Sequence, residues 1–152
     1  MTADDQMAEI QRLLQGARVH AVGRAVDMGV VEFARLYGDA IYLHIQCPFR
    51  ILQEGMVILG SRDMRYAQKG AGSEAFEQFR TVYDSRAATL DGIFERHRPA
   101  VVEVSFGDFG HLAVGWEHGF RIEVFPDCSG RIEAWRVFLR GGPHYGFPQD
   151  AI

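Results

Sequence analysis

The sequence predicts an α+β fold with antiparallel β-meanders, one short amino-terminal helix and one long central helix. Three observations support this prediction: an amphipathic segment at the amino terminus, two groups of segments in which apolar and polar residues alternate, and between them a stretch whose apolar residues recur every three or four positions. Alternation is the period of a half-buried strand, and the longer spacing is that of a helix. A chain of 152 residues fits one domain, which we place over residues 1–152.

The first predicted helix covers residues 4–15 and is followed by a meander. Asp4 and Asp5 suit the positive end of a helix dipole, and the apolar residues after them share one face until Gly16 ends the pattern. Turn residues at 27–29 and 38–39 then separate runs of alternating residues. These runs predict three antiparallel strands, at 17–26, 30–37 and 41–46.

A bend is predicted directly after the third strand, at Cys47 and Pro48. Proline has no backbone donor and interrupts a strand ladder, so this dipeptide marks a bend or a sheet edge. Two short strands follow around the turn formed by Glu54 and Gly55, at 49–52 and 56–59. Residues 60–72 contain three glycines and no periodic pattern, and they predict a loop.

The long central helix is predicted over residues 73–97. Ser73 is a suitable amino-terminal cap, and Pro99 prevents the helix from continuing. The helical spacing predicts one buried face, made of Phe76, Phe79, Tyr83, Ala87, Leu90 and Phe94.

The second half predicts a four-stranded meander and an irregular tail. Its strands are expected at 102–106, 112–116, 120–124 and 132–138. The chain would then hold about seven to nine strands. They form either one curved sheet around the long helix or two sheets, and the alternation is compatible with both.

Composition limits the function. The net charge is −4, from 16 basic and 20 acidic residues, which gives no support to nucleic-acid binding. No apolar run is long enough to span a membrane, and the first residues lack the pattern of a signal peptide, so we expect a cytoplasmic protein that does not bind membranes. In that compartment the two cysteines, Cys47 and Cys128, are expected to be free thiols.

His44 and Cys47 form the first candidate site, because an imidazole and a thiol lie three positions apart. A catalytic thiol needs a base within hydrogen-bond reach and a third group that orients the base. Arg50 and Asp63 complete the candidate ligand site at the bend. The structural alternative, which we prefer, is that Cys47 is a small buried residue at a strand end and His44 an outward one. No residue is therefore assigned a catalytic role.

Two further sets of polar residues are candidate sites. The six histidines are scattered, and neither CxxC nor HExxH occurs, so we expect no metal site and no cofactor. Glutamates at the polar positions of the second meander could act as an acid–base pair or form cross-strand ion pairs with arginines, and we expect the latter. These residues are Glu103, Glu123 and Glu133, with Arg121 and Arg136.

The segments HIQCPFRI, ILGSRD and VFPDCSGRIEAWRVF resemble a family of small uncharacterised proteins of actinobacterial type. The resemblance implies no activity and no site residue. We therefore expect a non-enzymatic cytoplasmic binding domain, homodimeric, that uses a sheet face or residues 60–72 to hold a protein partner or a second copy. The alternative is a small-ligand binder or an enzyme with a site at the bend, built from His44, Cys47, Arg50 and Asp63.

Overall fold

A computed structural model describes residues 1–151 and confirms the α+β fold class. It has two α-helices and ten strands, in this order along the chain: α1 Ala3–Leu14, β1 Arg18–Ala25, β2 Met28–Ala34, β3 Ala40–Ile45, β4 Phe49–Gln53, β5 Met56–Gly60, α2 Val82–His97, β6 Val101–Phe106, β7 Leu112–Trp116, β8 Phe120–Val124, β9 Trp135–Leu139 and β10 His144–Phe147. A short 3-10 helix, Ser61–Arg65, follows β5 directly.

The strands form two antiparallel sheets, which decides between the one-sheet and two-sheet alternatives. Sheet A has the order β1-β2-β3-β9-β10, and sheet B has the order β5-β4-β8-β7-β6. The predicted first meander is present as β1 to β3. The predicted four-stranded second meander is wrong in its last strand, because β9 pairs with β3 and not with β8, so that Ile41 lies opposite Leu139.

The chain crosses between the sheets twice, and the two crossings run side by side. Residues 46–48 lead from β3 in sheet A to β4 in sheet B, and residues 125–134 lead from β8 back to β9. The amide of Gln46 donates to the carbonyl of Ala134 at 2.7 Å, and the amide of Phe125 donates to the carbonyl of Pro48 at 2.8 Å. The bend predicted at Cys47 and Pro48 is thus the first crossing.

Helix α2 begins at Val82 rather than at residue 73. Thr81 and Asp84 form a capping box, in which the hydroxyl of Thr81 accepts from the amide of Asp84 and the carboxylate of Asp84 accepts from the amide of Thr81. Residues 73–80 form turns, and Phe79 has a φ of 56° and is 55% exposed. The expectation that Phe79 lies on the buried face is therefore wrong, whereas Leu90 is buried as predicted.

One core lies between the sheets and α2. Trp116 of β7 is at its centre, where its ring contacts Phe33 of sheet A, Phe94 of α2 and Phe120 of β8. Trp135 is also buried. Packing therefore accounts for most of the aromatic residues of the second half.

Side chains of α1 and of its C-cap residue, Gln15, bind the open edges of two strands. Gln11 and Gln15 donate to the carbonyls of Val104 and Val102 in β6, at 3.2 and 3.1 Å. Gln6 both donates to and accepts from the backbone of β10. Residues 144–147 pair with β9 as a strand, where the sequence predicted an irregular tail.

Side chains of α2 cover the edge of β1 in the same way. The carboxylate of Asp91 accepts from the amide of Val22 at 2.7 Å, and the hydroxyl of Tyr83 donates to the carbonyl of Gly23 at 2.6 Å. Both helices thus satisfy backbone groups that a sheet edge would otherwise leave open to pairing.

Candidate functional site

A cleft of ligand size lies where the chain crosses between the sheets. Its volume is about 850 Å³, and we refer to it as the crossover cleft. Pockets of roughly 300–1,000 Å³ accommodate small molecules. The cleft is lined by Asp27, Gln46, Cys47, Pro48, Ser61, Arg62, Met64, Arg65, Phe76 and Asp127.

Two arginines of the 3-10 helix form the basic wall of the cleft. A 3-10 helix has about three residues per turn, so Arg62 and Arg65 project from the same side. Both are exposed, and neither makes a side-chain hydrogen bond or ion pair with any residue between 1 and 151. Guanidinium groups bind carboxylates and phosphates through paired N–H donors. This wall can therefore bind an anionic group.

The sequence around β5 explains why the 3-10 helix forms beside the crossing. The carboxylate of Asp63 accepts from the amide of Gly60 at 2.9 Å and closes the first turn. The hydroxyl of Ser61 accepts from the amide of Phe49 at 3.1 Å, which ties this turn to the start of β4. The two arginines are thus presented from an anchored segment.

Two aspartates line other parts of the cleft. Asp27 belongs to the turn between β1 and β2, and Asp127 belongs to the second crossing. Within the described part of the chain, neither carboxylate has a hydrogen-bonding or ionic partner. Together with the side chain of Gln46 they offer acceptors to a ligand that carries N–H or O–H groups.

Cys47 lies in the wall of the cleft as a protonated thiol. Burial, and to a smaller extent the charge of Asp127, raises the pKa of Cys47 to about 12, although the nearby amide of Phe125 acts to lower it. The thiolate is the nucleophilic form of cysteine, and this pKa leaves almost none of it at neutral pH. Cys47 is therefore suited to contact a ligand rather than to attack one.

His44 lies away from the cleft, on the outer face of sheet A. Its ring meets Phe138 edge-on, with the centroids 4.8 Å apart, and also packs beside Tyr42. Burial lowers the pKa of His44, and the charges of Arg136 and His144 lower it further. The neutral imidazole is thus an outward, half-buried member of an aromatic cluster.

Arg50 and Asp63 also have partners outside the cleft. The side chain of Arg50 pairs with Glu123 at 2.9 Å on sheet B and lies over the ring of Phe125. Asp63 caps the 3-10 helix, as described above. Of the four residues that the sequence indicated as a site, the structure brings only Cys47 to the crossover cleft.

The glutamates of the second half form ion pairs. Arg121 lies between Glu103 and Glu123 on sheet B, at 3.8 and 3.6 Å. Arg136 and Glu133 are paired at 3.6 Å at the start of β9. Each glutamate has an arginine neighbour, but Glu133 lies before β9 and Arg121 shares β8 with Glu123, so these two pairs are not the cross-strand pairs that the sequence predicted.

Sequence reasoning missed the charged residues that line the cleft. Asp27 and Asp127 come from turns far apart in the chain, and no pattern links them. Arg62 and Arg65 had a recognisable signal, because two arginines three positions apart lie in the loop predicted at 60–72. That spacing places the two arginines on the same side only if the segment is a 3-10 helix, which the sequence did not predict.

Among residues 1–151, no three His, Cys, Asp or Glu side chains are arranged to hold a metal ion. Over the same residues, no helix has the length and apolar character needed to cross a membrane.

Comparisons of the chain with protein-family models, with curated proteins and with solved structures gave no match in any of the three.

Proposed function

We propose that the protein is a non-enzymatic binding domain that holds a small anionic ligand in the crossover cleft. The observation that carries this proposal is the pair formed by Arg62 and Arg65, two guanidinium groups that have no counter-ion among residues 1–151 and lie on one wall of a ligand-sized cleft. The anionic group is a carboxylate or a phosphate, since both fit the fork of an arginine.

The two arginines favour an anion on energetic grounds. Like charges on the same side of a helical turn repel each other, and an anion placed between them replaces that repulsion by attraction. A hydrogen bond to a charged group contributes about 1.5–3 kcal/mol net, more than one between neutral groups. Because the arginines are exposed, salt screening weakens the attraction, and binding should fall as ionic strength rises.

The aspartates restrict which anions fit. Asp27 and Asp127 would repel a ligand that is negative along its whole length, whereas an ammonium or hydroxyl group can donate to them. We therefore infer a ligand with an anionic end and a donor-bearing end, such as an amino acid that carries a phosphate.

Binding without catalysis is favoured by the state of Cys47. It is the nucleophile that the sequence singled out, and burial keeps its thiol protonated at neutral pH. Its predicted base, His44, packs among aromatic rings on another face. The arrangement supports recognition of a ligand and supplies no activated nucleophile.

The proposal is tested by titrating the ¹⁵N-labelled protein with phosphoserine, serine and inorganic phosphate while recording amide chemical shifts. We expect saturable shifts at Gln46, Arg62 and Arg65, largest with phosphoserine and weaker with serine, whose carboxylate is its one anionic group. The double variant Arg62→Ser, Arg65→Ser should lose these shifts. Arg140→Ser is the matched control, because Arg140 is exposed and lies outside the cleft residues.

Two results would contradict the proposal. The first is that none of the three compounds shifts the cleft amides at low ionic strength. The second is that the double variant binds phosphoserine as well as the Arg140→Ser control does.

A further inference from the structure

One of the four edge strands, β5, accepts no hydrogen bond along its backbone from a helix side chain of the described residues, although α2 lies close to it. The outer strands are β1 and β10 in sheet A and β5 and β6 in sheet B. Side chains of α1 and α2 bind the backbones of β1, β6 and β10. Along residues 56–59 of β5, no group among residues 1–151 reaches the backbone from outside the sheet. An open edge of this kind is a template for pairing with another strand.

The geometry of the hairpin shows which backbone groups are open. Glu54 and Gly55 form a two-residue turn with φ of 50° and 81°, and Gln53 opposite Met56 closes it as a hydrogen-bonded pair. Hydrogen-bonded and non-hydrogen-bonded pairs alternate in an antiparallel ladder. The next pair, Leu52 and Val57, is therefore non-hydrogen-bonded. The N–H and C=O of Val57 point away from β4.

We propose that this edge pairs with the same edge of a second copy of the chain, about a two-fold axis at Val57. In that arrangement Val57 and Val57 of the partner subunit exchange two backbone hydrogen bonds. The five strands of sheet B then continue into the five of the second copy, as one ten-stranded sheet. The proposal does not depend on a ligand in the crossover cleft.

The charges beside β5 favour a second copy as the occupant. Glu54 precedes the strand and Arg62, which also lines the crossover cleft, follows it; neither side chain has an ionic partner among the described residues. Antiparallel pairing brings the acidic start of one strand beside the basic end of the other, twice by symmetry. The same edge is thus complementary to itself in charge as well as in hydrogen bonding.

A β-bulge limits the length of the contact. The register of β5 against β4 shifts between Val57 and Leu59, and a bulge bends a strand locally. The contact is therefore confined to the few residues on either side of Val57. We expect a dimer that dissociates on dilution rather than a permanent one.

Sedimentation velocity over a range of protein concentrations tests the inference. The wild-type mass should rise with concentration from 17.1 kDa toward twice that value. Val57→Pro removes the outward N–H without removing a bond to β4, and Val57→Lys places two like charges opposite each other. Both variants should remain monomeric. Val102→Lys is the matched control, because Val102 lies on the covered edge of β6 and is 57% exposed, against 56% for Val57.

Circular dichroism checks that each variant is folded. If Val57→Pro is unfolded, the dimer is tested with Val57→Lys alone. The inference is overturned if the wild type stays monomeric at every concentration. It is equally overturned if folded Val57 variants dimerise like the wild type, or if Val102→Lys abolishes the dimer as they do.

Discussion

Arg24 of β1 and Asp84 of α2 form a two-point ion pair, with Nε–Oδ1 and Nη2–Oδ2 distances of 2.8 and 3.0 Å. The side chain of Arg24 is only 1% exposed, and its guanidinium lies 4.3 and 4.1 Å from the ring centres of Phe76 and Phe79. One arginine thus fastens the turns at 73–80 and the start of α2 to sheet A.

Replacing Arg24 by alanine should destabilise the protein strongly. The carboxylate of Asp84 would remain next to the core without its partner, and breaking a buried pair costs about 3–5 kcal/mol. Urea unfolding measures the change in unfolding free energy. The control is Arg86→Ala, because Arg86 is an exposed arginine of α2, the helix that contains Asp84. A loss as small as that of the control would show that the pair does not hold the segment.

The same pair should make stability fall in acid. Burial acts to raise the pKa of Asp84, but hydrogen bonds from Arg24 and Thr81 outweigh it, so the net pKa is lowered. A carboxylate with a lowered pKa stabilises the fold above its unfolded pKa of about 3.9, and that stabilisation is lost as pH falls through the folded value. In urea unfolding below about pH 4, the difference between the wild type and Arg24→Ala should shrink. A constant difference would contradict this assignment.

Leu90 and Phe79 should respond differently to replacement by alanine. Leu90 is 4% exposed within the core, and truncating such a residue costs about 2–5 kcal/mol. Phe79 is 55% exposed and contacts Arg24 through its ring, so its loss should cost about 1 kcal/mol or less. Equal losses of unfolding free energy in the two variants would contradict the structure of residues 73–80.

Asp91 should tolerate asparagine better than alanine. Burial raises the pKa of Asp91, and the negative charge of Glu32 also raises it. The hydrogen bond from the amide of Val22 lowers the pKa, but the net shift is upward. Because the folded state holds a proton more readily than the unfolded one, the charged form lowers stability at neutral pH. Asparagine keeps the acceptor without the charge, so Asp91→Asn should match or exceed the wild type in urea unfolding at neutral pH. Asp91→Ala leaves the Val22 amide without a partner, at a cost of about 1–3 kcal/mol. Equal stability of the two variants would show that residue 91 does not stabilise the fold by accepting this hydrogen bond.

Cys47 should react slowly with iodoacetamide. Its pKa is raised to about 12 by burial, whereas Cys128 is exposed. Mass spectrometry of the alkylated peptides should show Cys128 modified first at neutral pH, and Cys47 modified more slowly than a free model thiol. Rapid modification of Cys47 would contradict the raised pKa and would support Cys47 as a nucleophile at the first crossing.

The sequence predicted the positions of most strands but not which strands pair with each other. Alternation located most strands, because it depends only on which face is buried. It does not specify the neighbouring strand, and the pattern of β9 is the same beside β8 as beside β3. The start of α2 was also misplaced, since Ser73 and Thr81 both resemble caps. Only Thr81 has an aspartate at the third position that completes a capping box.

The candidate site was harder to predict than the fold. His44 and Cys47 are close in sequence, but the chain leaves sheet A between them, so His44 stays on the outer face and Cys47 enters the crossing. The charged residues of the cleft come from three separate segments. Their proximity is a property of the sheet order, which no local pattern contains.

The two crossings have a consequence for how the protein folds. Each sheet combines strands from both sides of α2: Leu43 of β3 pairs with Val137, and Ile51 of β4 pairs with Ile122. Such distant pairs require large loops to close before their contacts form, which slows folding. During synthesis β3 and β4 leave the ribosome long before β9 and β8 do. Their apolar faces and unpaired edges must then remain unaggregated until the second half of the chain arrives.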